Sequence, residues 1–271
     1  MMSYSETVSP VGFFDSGVGG LTVLSAFLEQ AGSFPFHYLA DTAHCPYGDR
    51  PLDEVKEYAL AATDFLVDQG CETVVMACNI SSSIALERAQ QRHPDITISG
   101  LVNENLGRVV EQQVSNDKVG VLATLGTVKS KRYTEVLNEF NLEVIQQACS
   151  PLVPLVEAGQ LEGREVEDTL KPLLFPLLEA DVDAVVLGCT HYPFLLKPLK
   201  KLLPDDVSVI DPGKALAGYL APRLSTNGCR QTKNFWATGS KESLQELLPY
   251  FSFDVPEEIG SVSLPLTSPT T

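Results

Sequence analysis

An internal repeat constrains this chain more than any other feature. Residues 72–79 read E-T-V-V-M-A-C-N, and residues 183–190 read D-A-V-V-L-G-C-T. Upstream, V-G-F-F-D-S-G at 11–17 resembles V-G-V-L-A-T-L-G at 119–126. The two matches occur in the same order, offset by 111 and 108 residues. Self-similarity at a near-constant spacing points to a duplicated unit, each copy carrying one strand that ends in cysteine. Short β-branched apolar runs at 11–16, 35–41, 72–78, 95–102, 118–124, 184–189 and 207–211 predict buried strands. Between them lie helical patterns, such as 51–70 with Val55, Ala59, Ala62, Phe65 and Leu66 near one face. Strands alternating with helices predict βαβ units and parallel sheets covered on both faces. Pro172 and Pro176 predict an interrupted helix over 164–180.

The expected fold is therefore α/β, with two pseudo-symmetric parallel-sheet domains. Ligands of open α/β sheets bind beyond the carboxyl ends of the strands. Two facing halves place Cys78 and Cys189 on opposite walls of one cleft. Crossovers near 101–105 and 211–214 divide the chain into a first domain, 1–101 plus 213–271, and a second, 102–212. N-F-W-A-T-G-S at 234–240 reads as a strand and turn added to the first. The uncharged stretch 261–271, rich in Ser, Thr and Pro, is expected to be mobile.

Composition narrows the function. Nineteen basic and 35 acidic residues in a chain of 271 give a formal net charge of −16. That argues against general binding to nucleic acid or an anionic membrane, both of which need a basic footprint. A small anionic substrate stays possible, because helix N-termini and backbone N–H groups make locally positive sites. The six cysteines are scattered without a C-x-x-C pair, which fits free thiols in the cytoplasm. The opening M-M-S-Y-S-E-T-V-S-P lacks the features of a secretory signal, and no apolar run approaches the roughly 20 residues of a membrane span.

Cys78 ends a strand and opens a helix, where the positive end of the dipole is expected to draw the thiol pKa down towards neutrality. Cys189, in G-C-T-H-Y-P, ends the equivalent strand. One such cysteine is most often an inert core residue; two at equivalent strand ends favour function. Cys45, Cys71, Cys149 and Cys229 lack this setting and read as structural. Asp15 lies in F-F-D-S-G-V-G-G, whose glycines match neither the dinucleotide fingerprint nor a P-loop. Cys189-x-His191 lacks a second ligand pair at metal-binding spacing, so His191 reads as a proton partner for a thiol. Two acid/base groups on opposite faces of a carbon suit inversion of a stereocentre: a thiolate removes a proton from one face and a thiol delivers one to the other. Donors are needed to stabilise the carbanion, and Ser16, Asn79, Thr190 and turn N–H groups are of the right type. No lysine sits in a Schiff-base-like setting among these motifs, so no cofactor is expected.

The motifs F-D-S-G-V-G-G (14–20), L-A-D-T-A-H-C-P-Y-G (39–48), M-A-C-N (76–79), A-T-L-G-T (123–127), L-V-P-L-V-E-A-G (152–159) and L-G-C-T-H-Y-P (187–193) together resemble the aspartate/glutamate racemase family. The resemblance implies cofactor-independent interconversion of L- and D-glutamate, supplying D-glutamate for peptidoglycan. It implies that Cys78 and Cys189 are the two bases, with Asp15 assisting Cys78, and His191 and Glu157 assisting Cys189. It places Asp15, Ser16, Tyr47, Gly48, Asn79, Thr190 and His191 around the substrate, with Tyr47 and Gly48 offering backbone N–H groups. It also implies a homodimer; no metal is expected, since the spacing of the ligand-type residues offers no site for one. Ile80 stands where the family usually has threonine; its backbone N–H remains, and Ser81 is a candidate to replace the missing hydroxyl. Ile80 motivates a second enzymatic reading, racemisation of aspartate or another amino acid. A non-catalytic binding role on the same scaffold is a third.

Overall fold

Two parallel sheets organise the molecule, seen in a computed structural model that describes residues 8–224, 232–252 and 258–265. The larger sheet contains β1 (Val11–Asp15), β2 (Phe36–Ala40), β3 (Thr73–Met76) and β4 (Thr97–Gly100). The smaller contains β5 (Lys118–Ala123), β6 (Glu143–Ala148), β7 (Ala184–Gly188) and β8 (Ser208–Ile210). The chain then returns to the larger sheet with β9 (Lys233–Ala237) and β10 (Gly260–Ser261). The helices are α1 (Leu21–Ala31), α2 (Leu52–Asp68), α3 (Asn79–Arg92), α4 (Glu104–Glu111), α5 (Leu125–Ser130), α6 (Arg132–Asn138), α7 (Leu152–Glu157), α8 (Arg164–Glu179), α9 (Leu196–Leu202), α10 (Pro212–Leu220) and α11 (Glu242–Leu247).

The strand orders are β10-β9-β2-β1-β3-β4 and β6-β5-β7-β8. The shared cores, 2-1-3-4 and 6-5-7-8, are one topology used twice. Register repeats as well: Val11 pairs with Thr73 in the first sheet and Val119 with Ala184 in the second, which are the positions related by the two sequence offsets. The duplication is therefore a property of backbone pairing as well as of sequence. In each sheet the chain reverses its direction of winding at the first strand, which opens a crevice beyond β1/β3 and beyond β5/β7.

Both central strand pairs are buried on both faces, as their β-branched composition requires. One apolar core continues from Phe13 and Tyr38 under the first sheet to Val121 and Val186 under the second. The helix over 164–179 is continuous, contrary to the expected interruption. Pro172 and Pro176 both lie on its exposed face, four residues apart, so the carbonyls of Asp168 and Pro172 that lose their intrahelical donors face solvent. The opposite face, Val166, Leu170, Leu174 and Leu177, stays buried and holds the helix in place. The expected mobility of 261–271 also needs correction where the segment is described. The Val262 N–H donates to the Ala237 carbonyl at 3.1 Å, and Val262 and Leu264 pack on the core beneath the first sheet. Residues 266–271 and Cys229 lie outside the described residues. Among the described residues, no helix is long and apolar enough to cross a membrane.

Candidate active site

The strand ends of the two sheets face each other across one small cavity of about 30 Å³. Ser16 follows β1, Cys78, Asn79 and Ile80 follow β3, and Tyr47 and Gly48 come from the loop between β2 and α2; all line it. Across from them, Thr124 and Thr127 follow β5, and Cys189, Thr190 and His191 follow β7. Each sheet thus contributes one thiol to the same space. Asp15 and Glu157 stand behind this lining, and Ser81 is not part of it. The serine expected to replace a substrate-facing hydroxyl is turned inward, because it sits inside the first turn of α3.

Cys78 has extended backbone (φ −84°, ψ 125°) and is the N-cap of α3, as its place between a strand and a helix requires. Its thiol donates to Ser16 Oγ at 3.9 Å. Its pKa is nevertheless not lowered. Burial, followed by the charge of Asp15, pushes it up to about 12. Desolvation of a thiolate in a closed pocket outweighs the hydrogen bonds and the dipole of the helix start, so the expectation from the helix terminus alone fails.

Asp15 is fully buried, yet held from both halves. The Gly17 N–H donates to Oδ2 at 2.9 Å, and the Thr190 hydroxyl donates to Oδ1 at 3.2 Å. Burial raises its pKa; the charge on His191 and the N–H groups of Gly17 and Gly20 pull it back.

On the other wall, Cys189 Sγ lies 3.7 Å from His191 Nδ1, and His191 Nε2 lies 2.6 Å from Glu157 Oε1. Burial opposes charge on the ring, but its partners Cys189 and Glu157 hold the imidazole pKa well above its usual value. The line Cys189–His191–Glu157 thus carries a cation next to the sulfur and a carboxylate behind it.

Several contacts here were not foreseen. Tyr133 of α6 donates its hydroxyl to Asn79 Oδ1 at 2.6 Å, so the second half orients a side chain of the first. The Gly126 N–H donates to the Gly48 carbonyl at 2.9 Å across the cleft. Asp41 accepts from the Tyr47 hydroxyl at 2.5 Å and from Thr238 Oγ1 at 2.5 Å, which fixes the loop carrying Tyr47 and Gly48. Thr124 and Thr127, 3.1 Å apart, complete the wall. The repeat held the signal for the last pair: A-T-L-G-T occupies the place of F-D-S-G-V-G-G, so it had to emerge at the same cleft. Among the described residues, no group of three or more His, Cys, Asp or Glu is arranged to hold a metal.

A sequence model described as Asp/Glu/Hydantoin racemase matches residues 23–220. The chain belongs to this racemase family. A glutamate racemase of Pseudomonas aeruginosa is 37% identical over 259 residues, covering 93% of this chain and 97% of that protein. Among solved structures, a glutamate racemase isoform from Bacillus anthracis superposes with a TM-score of 0.84 at 31% identity, covering 95% of this chain and 98% of that one. The glutamate racemase of Francisella tularensis, solved in complex with D-glutamate, gives a TM-score of 0.86 at 28% identity, covering 94% and 97%. As a racemase, the chain is an isomerase, and the two-sheet architecture is the one its relatives share.

Proposed function

We propose that this racemase interconverts L- and D-glutamate without a cofactor, with Cys78 and Cys189 as the two proton-transfer groups. The supporting observation is that repeat-equivalent thiols, one from each sheet, line one cavity. The glutamate racemases it resembles over nearly the whole chain support the choice of substrate. One sulfur, as thiolate, takes the α-proton and forms an S–H bond while the C–H bond breaks. The opposite thiol then gives its proton to the carbanion from the other face. After one turnover the two sulfurs have exchanged protonation states, and the reverse reaction uses the opposite assignment.

Buried beside Asp15, Cys78 begins as the proton-bearing thiol. The protonated His191 offers positive charge to the Cys189 sulfur, and Glu157 holds that ring in place. Ser16, Asn79, Thr190 and the backbone at Tyr47 and Gly48 supply donors for the carboxylates, where charge builds as the α-proton leaves. The reading divides the chain into 1–101 plus 213–271 and 102–212, which strand membership in the two sheets supports. It extends to a cytoplasmic homodimer that supplies D-glutamate for peptidoglycan, with no nucleic-acid or membrane partner.

Circular dichroism of L-glutamate incubated with the purified protein tests the reading, the expected result being decay of the signal to zero. Ile80 favours one second reading. It is buried against the cavity and takes up room there, which suits a shorter acidic amino acid. Decay with aspartate but not glutamate selects that reading, and inertness to both selects a binding role.

Glu157→Gln removes the carboxylate that steadies charged His191. The ring then loses its proton at lower pH, so the alkaline limb of kcat/KM moves down. A charge-assisted hydrogen bond is worth about 1.5–3 kcal/mol, so kcat/KM near neutrality falls roughly tenfold or more. A pH series of progress curves checks both.

A further inference from the structure

Three serines follow Asn79 and Ile80 in α3, and two of them have structural duties. Ser82 Oγ accepts from the Val102 N–H at 3.1 Å, and Ser83 Oγ donates to the Asn79 carbonyl at 2.8 Å. Ser81 is different. It is wholly buried, and its hydroxyl has no hydrogen-bond partner among the described residues. A buried hydroxyl left unpaired is destabilising, so its retention asks for a partner that exists in another state of the molecule.

The position of Ser81 identifies that partner. Cys78 is the N-cap of α3, and Ser81 is the third residue of the helix. An N-cap side chain ordinarily accepts from the backbone N–H at this third position, and in a capping box the third side chain reaches back to the cap. Here the cap atom is sulfur. A neutral thiol is a weak acceptor and donates its own proton towards Ser16. A thiolate is a strong acceptor, and Ser81, at the third position of the helix with its hydroxyl buried and unpaired, is placed to donate to it. The hydroxyl thus gains a strong acceptor when Cys78 is charged.

We propose that Ser81 is a positioning residue for the Cys78 thiolate, donating a hydrogen bond that forms as the thiol loses its proton and is released when the thiol is restored. The inference rests on the reading of Cys78 as a proton-transfer group. It adds a reason why a sulfur pressed by its surroundings towards the neutral form still reaches the basic form within each turnover. Burial and the charges of Asp15 from the first sheet and Cys189 from the second press on it, and its other titratable neighbours are Tyr38 from the first sheet, Cys45 and Tyr47 from the β2–α2 loop and Tyr58 from α2. The cation of His191 lines the opposite wall of the same cavity, beside Cys189, so on the helix side of Cys78 stabilisation of the thiolate falls to Ser81.

The test reads Cys78 directly, whichever amino acid proves to be the substrate. The intact protein and its Ser81→Ala variant are treated with iodoacetamide at mildly alkaline pH, where the rate follows the thiolate fraction. Each cysteine is then quantified by peptide mass spectrometry. Cys78 alkylation is expected to fall about tenfold in Ser81→Ala, the equivalent of one charge-assisted hydrogen bond, while Cys189 alkylation is unchanged. Ser82→Ala, the same chemical change one residue along, loses a structural bond and is expected to leave Cys78 alkylation at its original rate. An unaltered Cys78 rate in Ser81→Ala overturns the proposal. So does an equal fall in Ser82→Ala, which would reduce the effect to a loosened helix. Loss of racemisation in Cys78→Ala is a separate measurement, so failure of the two-thiol reading is distinguishable from failure of this one.

Discussion

Under the proposed two-thiol mechanism, Cys78→Ala and Cys189→Ala are each expected to lose racemase activity by about 10³-fold or more, since each removes one of the two acid/base groups it requires. The loss is expected in both directions. A racemase has two chemically equivalent ends, and the step that removes a proton from one enantiomer delivers it in the reverse reaction. Both residues are almost entirely buried, at 5% and 7% exposure, so their sulfurs communicate with substrate only through the shared cavity. Truncation to alanine leaves a small void, and thermal melting is expected to show a modest loss of stability with the fold intact. Racemisation within tenfold of the parent in either variant refutes the pair. Isotope flow offers an independent check on the unmodified protein. In deuterated water the newly formed enantiomer acquires deuterium from the second thiol, while the remaining substrate is largely unlabelled at early times. Equal early labelling of both pools would mean that one base serves both faces.

The parts of this architecture visible in the sequence are those that burial writes into residue type. β1, β3, β5 and β7 are central and covered on both faces, so each is a continuous apolar run. The two cysteine-ended strands were recognisable because the duplication preserved them. β6 escaped notice for the opposite reason. It is an edge strand, E-V-I-Q-Q-A, with no fully buried residue, so its glutamines conceal the pattern. Side-chain partners were least legible. That Tyr133 orients Asn79, or that Thr190 reaches Asp15, depends on how the two halves meet, and no local spacing encodes it. The Cys78 environment shows the same limit. Its place at a helix start was readable, whereas the burial and nearby carboxylate that reverse the effect on its thiol come from residues 63 and 111 positions away or from the closing of the cleft. Charge at a site is a tertiary property, and a motif supplies only one of its contributions.

The meeting of the halves yields the second large prediction. Gly19 lies in the loop after β1 and faces the loop after β7 that carries Thr190 and His191. A methyl group there would sit 2.4 Å from Thr190 Oγ1 and 2.7 Å from His191 Nδ1. Neither atom is the far end of a flexible chain. Thr190 is anchored to Asp15, and the His191 ring is fixed between Cys189 and Glu157. Gly19→Ala therefore displaces the donor to Asp15 and the ring beside Cys189 together, or holds the two walls apart. Misplacement of reacting groups by about 1 Å costs on the order of 10²-fold, and a loss of that size in kcat/KM is expected. Gly218→Ala provides the comparison. That glycine is exposed within α10, and nothing lies within 4 Å of where its Cβ would be. There the same substitution gains about 0.8–1 kcal/mol of helix propensity and leaves activity unchanged. If Gly19→Ala racemised its substrate as fast as Gly218→Ala, the closed approach of the β1 loop to Thr190 and His191 would have no part in catalysis, and proton transfer would have to occur with the walls further apart.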